Sequence, residues 1–198
     1  MAIFSFEVLV IFFGWQLYGL FHSLLASSAF KNVIEKTMPG LFKRYRFIFV
    51  ISAILTPLPL LWFQVTHKSP DVWNSFREIR LLGGIMAGMG LALLRKAFAH
   101  YDSKLFLGLS QKREDSETFK SNGLLAKMRH PLYTAILMIL WGWFLFSNSY
   151  NNLAFSLANT LYIFIGIQWE EKKLIKQYGQ KYMDYKAKVP MLIPKIRP

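Results

Sequence analysis

The chain has 198 residues, 54% of them hydrophobic and 17% aromatic, with no cysteine and a formal charge of +13. In a soluble protein that charge would point to nucleic acid. Here the basic residues are separated by long uncharged apolar stretches, Val8–Phe30, Phe47–His67 and His130–Trp169, which argue against soluble globular, disordered and nucleic-acid-binding classes and for membrane-spanning helices. The lack of cysteine excludes a disulfide, a cysteine-ligated zinc and a cysteine nucleophile.

The first predicted span runs from Phe4 to Ala26. No basic segment precedes it and no small-residue cleavage site follows, so it reads as a retained span rather than a signal peptide. Its His22 is an ionisable side chain in an apolar stretch and a candidate substrate-binding residue; the competing reading is a hydrogen-bonded histidine between helices. Span two covers Phe47 to Val65. Span three has only Leu81 to Leu94 between Arg80 and Arg95, whose side chains can snorkel to the two interfaces. Within it, Gly84 and Gly88 are four apart and suit close helix packing. The alternative is that Gly88 and Gly90 bare their backbone to a ligand. The order of glycines is no dinucleotide fingerprint, because no strand precedes it.

Just beyond span three stand His100, Asp102 and Gln111. They are candidates for a base and its orienter or for head-group binding, set against an ordinary polar turn at the interface. The uncharged stretch from His130 to Trp169 is too long for one helix. It breaks at the polar cluster Ser147–Asn152, read as a turn, into a hairpin of Pro131–Phe146 and Leu153–Trp169.

At the start of that hairpin, His130 precedes a proline and is pushed out of helical geometry, while Pro131 suits the first helical position. The helix start offers free N–H groups and a positive dipole end, with Arg129 and His130 beside it, which together suit an anion. An interfacial arginine with an ordinary proline helix start competes with that reading. At the far end stand Glu170 and Glu171. Two carboxylates at a helix C-terminus face the wrong dipole end, so either cations are supplied or the helix continues. Neighbouring helical residues point about 100° apart, which allows one glutamate to pair with Arg129 and the other to face a bound cation; alternatively both are solvated and balanced by nearby lysines. In the tail, Leu174, Tyr178, Tyr182, Tyr185 and Val189 form one helical stripe, weakened by Gly179 and ended by Pro190. The four histidines show no metal-ligand spacing, so no metal is expected.

Arg129-His130-Pro131-Leu132-Tyr133, then an uncharged hairpin, then Glu170-Glu171-Lys172-Lys173-Leu174 and Tyr178-Gly179-Gln180-Lys181-Tyr182 resemble the signature of the isoprenylcysteine carboxyl methyltransferase and phospholipid methyltransferase superfamily. Phe21-His22-Ser23, His100-Tyr101-Asp102 and the ending Val189–Pro194 are similar to its bacterial methanethiol S-methyltransferase-like branch. The resemblance implies an integral membrane enzyme of the bacterial inner membrane that uses S-adenosylmethionine, bound in the C-terminal half. The residues agree with that: His130 and Arg129 at the helix start suit the donor's carboxylate, a glutamate, Glu170 by choice, its ammonium, and Tyr133, Tyr182 or Tyr185 its adenosine, with Gly88 and Gly90 as further cofactor candidates. Arg129, Glu171 and His100 are then the catalytic candidates, and His22, Asp102 and Gln111 the acceptor-side ones. The implied acceptor is a small thiol or a lipid-like molecule; membrane lipids are the other partner, and nucleic acid is not one.

The expected fold is all-α: one domain over 1–198, a membrane bundle of about five helices, with a two-helix part over 1–78 and a cofactor-binding part over 79–198. A cytoplasmic amphipathic C-terminal helix completes it. A non-enzymatic membrane protein, a small transporter or an assembly factor, is the alternative; ionisable residues crowded at one interface rather than at the midplane favour the enzyme.

Lysine and arginine number 21 in the segments assigned to the cytoplasm and three, Lys68, Arg77 and Arg80, in the other loops. The positive-inside rule then puts the N-terminus outside and the C-terminus inside. A reporter fused after Pro198 is expected to be active only when it requires the cytoplasm; periplasmic activity there would reverse the topology.

Overall fold

The computed structural model describes residues 5–74, 76–99 and 119–194. Their regular structure is helical: α1 Phe6–Ala26, α2 Ser28–Thr37, α3 Pro39–Phe42, α4 Tyr45–Leu55, α5 Leu58–Thr66, α6 Arg77–Phe98, a 3₁₀ turn Gly123–Ala126, α7 Pro131–Phe146, α8 Tyr150–Tyr178 and α9 Gln180–Lys188. Among the described residues there is no strand, only one isolated bridge, Asp71 with Ser149. Three stretches among the described residues are long and apolar enough to cross a membrane: Phe6–Ala26, Tyr45–Thr66 and Arg77–Phe98. Their outward side chains are large and apolar, Leu17, Trp62 and Leu82 among them. Surface of that kind is stable against hydrocarbon and not against water.

The second span is less regular than its composition suggests. Thr56 and Pro57 interrupt it between α4 and α5, because proline supplies no N–H and crowds the preceding turn. The Thr56 hydroxyl donates to the Ser52 carbonyl at 2.7 Å. Span three is longer than its uncharged centre: α6 takes in Arg80 and Arg95 and adds a turn at each end. The predicted fifth span is part of a single 29-residue helix, α8, about 43 Å long at 1.5 Å per residue.

The chain forms two compact units. In the first (5–74 and 148–159 of the described residues), Val8, Ile11 and Trp15 of α1 pack on Ala154 and Ala158 of α8, and the Gln16 amide donates to the Ala158 carbonyl at 2.7 Å. The polar cluster expected to be a turn does separate α7 from α8, and it is also a buried fastening. Asn148, Asn151 and Asn152 are all buried. Asn148 Nδ2 donates to the Trp73 carbonyl at 2.7 Å, Asn151 Nδ2 to the His67 carbonyl at 2.5 Å, and Gln64 Nε2 to Asn152 Oδ1 at 2.9 Å. Buried amides need such partners, and here they pin the loop after α5.

In the second unit (76–99, 119–147 and 160–194) α6 packs directly on α7. The glycine register differs from the sequence reading by one residue. A Cβ on Gly83 would meet the Gly142 oxygen at 2.7 Å, and one on Gly142 would meet the Ala87 nitrogen at 2.6 Å. The close-approach stripe is therefore Gly83, Ala87 and Gly90 against Gly142, while Gly84 and Gly88 lie on the exposed side. Gly90 faces Ile139 and the Ala135 oxygen at 2.8 and 2.9 Å, so its backbone is covered by α7 and not offered to a ligand. Trp141 Nε1 donates to Thr160 Oγ1 at 3.1 Å, tying α7 to α8.

Gly142→Ala is expected to lower thermal stability in detergent by an overpacking cost of about 1–3 kcal/mol, because backbone, not a flexible side chain, occupies the space. Gly88→Ala, where nothing lies within 4 Å, should melt no lower than the parent. Comparing the two melting curves checks the register.

Candidate functional site

The site lies in the second unit, where the start of α7, the continuation of α8 and the tail meet. His130 is the N-cap of α7, with φ −125° and ψ 65°, followed by Pro131 at the first helical position. No side chain caps the helix, and its first intrahelical bond is Thr134 N to the His130 carbonyl at 3.0 Å. The backbone N–H groups of Arg129 and His130 donate to the Pro190 and Met191 carbonyls at 2.9 and 3.1 Å. The Thr134 hydroxyl donates to the Leu192 carbonyl at 2.9 Å. The segment after Val189 is thus strapped to the beginning of α7.

Glu171 is the centre of the side-chain cluster and is 3% exposed. Its Oε1 accepts from Arg129 Nε at 2.7 Å and from His130 Nε2 at 3.1 Å; its Oε2 lies 2.6 Å from Lys186 Nζ. Arg129 Nη1 also donates to the carbonyls of Lys186 at 3.1 Å and Val189 at 2.5 Å. Burial by itself raises the Glu171 pKa; the hydrogen bonds from Lys186, His130 and Arg129 and the charge of Arg129 overcome that and hold it at about 2. Because an ionised carboxylate only accepts, His130 must carry its proton on Nε2. In the neutral ring Nδ1 is then an acceptor. It lies 3.8 Å from Oε2 of Glu170, whose side chain is 43% exposed.

Both conditions posed for the paired glutamates are met, since α8 runs on to Tyr178 and cations converge on Glu171. Gly179 then adopts φ +56°, a conformation that favours glycine, and α9 begins. Tyr182 is buried, and Tyr185 donates its hydroxyl to the Leu125 carbonyl at 2.6 Å. Phe119 packs on Tyr178, Tyr182 and Tyr185 at ring distances of 5.2, 6.0 and 5.2 Å. Burial pushes the Tyr185 hydroxyl up to about 12 and raises that of Tyr182 further.

The structure therefore gathers Arg129, His130, Glu170, Glu171, Tyr182 and Tyr185, with the Tyr133 ring 5.6 Å from that of His130. Arg129 and Glu171, expected to be catalytic, are engaged with each other and with the tail. Gly88 is exposed on α6, and Gly90 is used in packing. His22 belongs to the first unit, its ring 4.8 Å from Phe49 and 5.9 Å from Tyr18. His100, Asp102 and Gln111 lie outside the described residues. Among the described residues no cluster of histidine, aspartate and glutamate could hold a metal. Sequence reasoning missed Lys186, Phe119 and the carbonyls of residues 190–192. Lys186 stands four residues after Tyr182, on the same face of α9, which was the available signal.

The chain belongs to the phospholipid methyltransferase family, which matches residues 79–181. It is similar to methanethiol S-methyltransferase 2 of Bradyrhizobium diazoefficiens, 28% identical over 91% of this chain and 71% of that protein. It is similar also to the methanethiol S-methyltransferase of Pseudomonas deceptionensis, 27% identical over 91% of this chain and 70% of that one. A protein-S-isoprenylcysteine O-methyltransferase of Xenopus laevis is 25% identical over 93% and 65%. No solved structure matches. The chain is thus an enzyme of a membrane methyltransferase family, and the matched segment contains both the Arg129-His130 and the Glu170-Glu171 pairs.

A carboxylate whose pKa is held at about 2 against the usual 4.5 stabilises the fold fully above the higher value and loses that contribution as pH falls from about 4.5 towards 2. Glu171→Gln should remove it at neutral pH and leave buried Arg129 without its counter-charge, a loss of about 3 kcal/mol or more. Thermal melts of the parent and the variant across this acid range check both; a variant as stable as the parent at pH 7 would contradict the cluster.

Proposed function

We propose that the protein is an S-adenosylmethionine-dependent membrane methyltransferase, with its donor site at the start of α7 beside Glu170 and with a small thiol as acceptor at the cytoplasmic face. One observation carries the reading. Glu171 is satisfied by three donors, whereas the Glu170 carboxylate is 43% exposed and lies 3.8 Å from His130 Nδ1, beyond hydrogen-bond distance. A half-exposed carboxylate so placed suits an ammonium, which the amino-acid end of the donor carries. The uncapped first turn of α7, with the Leu132 and Tyr133 N–H groups at its second and third positions, suits that end's carboxylate. The residues present therefore fit the cofactor.

When bound, S-adenosylmethionine supplies a methyl group on a positively charged sulfur, open to attack by a thiolate. The chain's own part is to hold and orient. Glu171 fixes His130 through Nε2, so that Nδ1 keeps one direction. Arg129 ties the α7 start to the tail through the Val189 carbonyl. The Tyr133 ring covers the edge of His130. Alignment of this kind accounts for much of the acceleration of a bimolecular transfer. The thiol is favoured as acceptor by the names of the methanethiol S-methyltransferases to which the chain is similar. The positive-inside distribution supports the cytoplasmic face, where a water-soluble donor is supplied. His22, His100, Asp102 and Gln111 are proposed for the acceptor side.

Glu170→Gln keeps the size of the side chain and removes its charge. Loss of a charge-assisted contact costs about 1.5–3 kcal/mol, or ten- to a hundredfold in affinity. Titration calorimetry with S-adenosylhomocysteine should show that drop with little change in melting temperature; undiminished affinity would move the ammonium site elsewhere. A labelled-donor screen of methanethiol, a prenylated cysteine and a phospholipid amine identifies the acceptor, with methanethiol expected to be methylated.

A further inference from the structure

The stretch between the first two spans, Ser27 to Arg44, is itself mostly helical. Ser27 is extended, with φ −65° and ψ 145°. It ends α1 and starts α2 in one residue, its Oγ donating to the Leu24 carbonyl at 2.7 Å and accepting from Phe30 N at 3.2 Å. α2 leads through Met38 into α3, which opens on Pro39. The chain then returns to its point of departure. The buried Tyr45, at the start of α4, donates its hydroxyl to the Leu25 carbonyl, near the end of α1, at 2.6 Å. Its ring lies 6.3 and 6.4 Å from those of Phe30 and Phe42. Because α1 and α4 both belong to membrane-spanning stretches, α2 and α3 form a flap held at the depth where those stretches leave the bilayer.

The protein covers only part of the flap's apolar side. At about 100° per residue, Ala29, Val33, Phe30 and Ile34 share one arc of α2, and Asn32, Glu35 and Lys36 the other. Phe30 and Ile34 are half-buried, whereas Ala29 and Val33 are exposed. Val33 and Met38 each show more than half of their surface, and Leu41 of α3 is exposed too. Lys36, Lys43 and Arg44 of the same flap are exposed, and the stretch from Lys31 to Arg46 carries five basic residues against one acid, Glu35. An apolar edge with a surplus of cations, at the end of two spans, matches the boundary of a bilayer, where hydrocarbon meets negative headgroups. The flap lies outside residues 79–181, which the family matches, and none of the donor-site residues belongs to it.

We infer that α2 and α3 are an interfacial anchor for anionic phospholipid. Ala29, Val33, Met38 and Leu41 enter the acyl boundary, and Lys36, Lys43 and Arg44 meet the negative headgroups. A lysine or arginine close to an anionic surface favours the immersed state about fivefold, so the three cations together hold the flap down where apolar contact alone would leave it partly lifted. This anchor is independent of the proposed methyl transfer and stands or falls without it.

The chain has no cysteine, so single cysteines can be introduced and spin-labelled. The test uses the full chain in nanodiscs of phosphatidylcholine, with or without phosphatidylglycerol. It reads the label's collisions with oxygen, which enters the bilayer, and with a water-soluble nickel chelate. With phosphatidylglycerol present, a label on Val33→Cys should be open to oxygen and shielded from nickel, and one on Asn32→Cys should be open to nickel. Omitting phosphatidylglycerol, or changing Lys36, Lys43 and Arg44 together to Gln, should raise nickel collisions at position 33 about fivefold or more. Met38→Cys carries the same expectations and stands in if the Val33→Cys protein does not fold. A label at position 33 as open to nickel as the one at position 32 places the flap in water and overturns the inference. So does a label shielded from both probes, which would mean a protein partner. Immersion indifferent to phosphatidylglycerol and to the three glutamines overturns it as well.

Discussion

One buried carboxylate, that of Glu171, sets the arrangement of the second unit at its charged end. Taking an ionised group out of water costs several kcal/mol unless other charges and hydrogen bonds replace the lost hydration. Here the replacements come from two separate stretches of chain, Arg129 and His130 before α7 and Lys186 on α9. Neither stretch can shift without exposing the carboxylate's demand. The same carboxylate decides the state of its neighbours. It fixes which nitrogen of His130 bears a proton. By taking up Arg129 and Lys186, it leaves Glu170, about 100° around the helix, as the acid still able to meet something from outside.

The continuation of α8 past the apolar stretch matters to this balance. Ended at Trp169, the helix would present its negative dipole end to two carboxylates. Continued to Tyr178, it places them in the middle of a helix, where the dipole is neutral to them and only the local cations count. The break comes later, at Gly179, and redirects the chain so that Lys186 returns towards Glu171 and residues 190–192 reach the start of α7.

Much of this was legible from composition and spacing, and what was not has physical reasons. Long uncharged runs locate α1 and the α4–α5 stretch because lipid imposes the same requirement at every position along a span. The pairing of Arg129 with one of two adjacent glutamates follows from helical geometry. The glycine stripe on α6 was misread by one residue: Gly84 with Gly88, and Gly83 with Ala87 and Gly90, both satisfy a helical period, and only the position of Gly142 on the partner helix selects between them. The asparagines of the 148–152 segment read only as a turn because their partners, Gln64 and the carbonyls of His67 and Trp73, lie some 80 residues earlier. The tail strap was hidden because its acceptors are backbone carbonyls, which any residue supplies.

The asparagine fastening also bears on the order of events during synthesis. The first unit is discontinuous: residues 5–74 are completed by residues 148–159, and its core joins Val8, Ile11 and Trp15 to Ala154 and Ala158. At a translation rate of about 5–20 residues per second, roughly 4–17 s separate the emergence of His67 from that of Asn151. For that interval α1 lies in the bilayer without its partner helix, and the loop after α5 without its amides. The part of the chain made first therefore stays open until late in synthesis, and it closes only when the start of the helix that also carries Glu170 and Glu171 has been made.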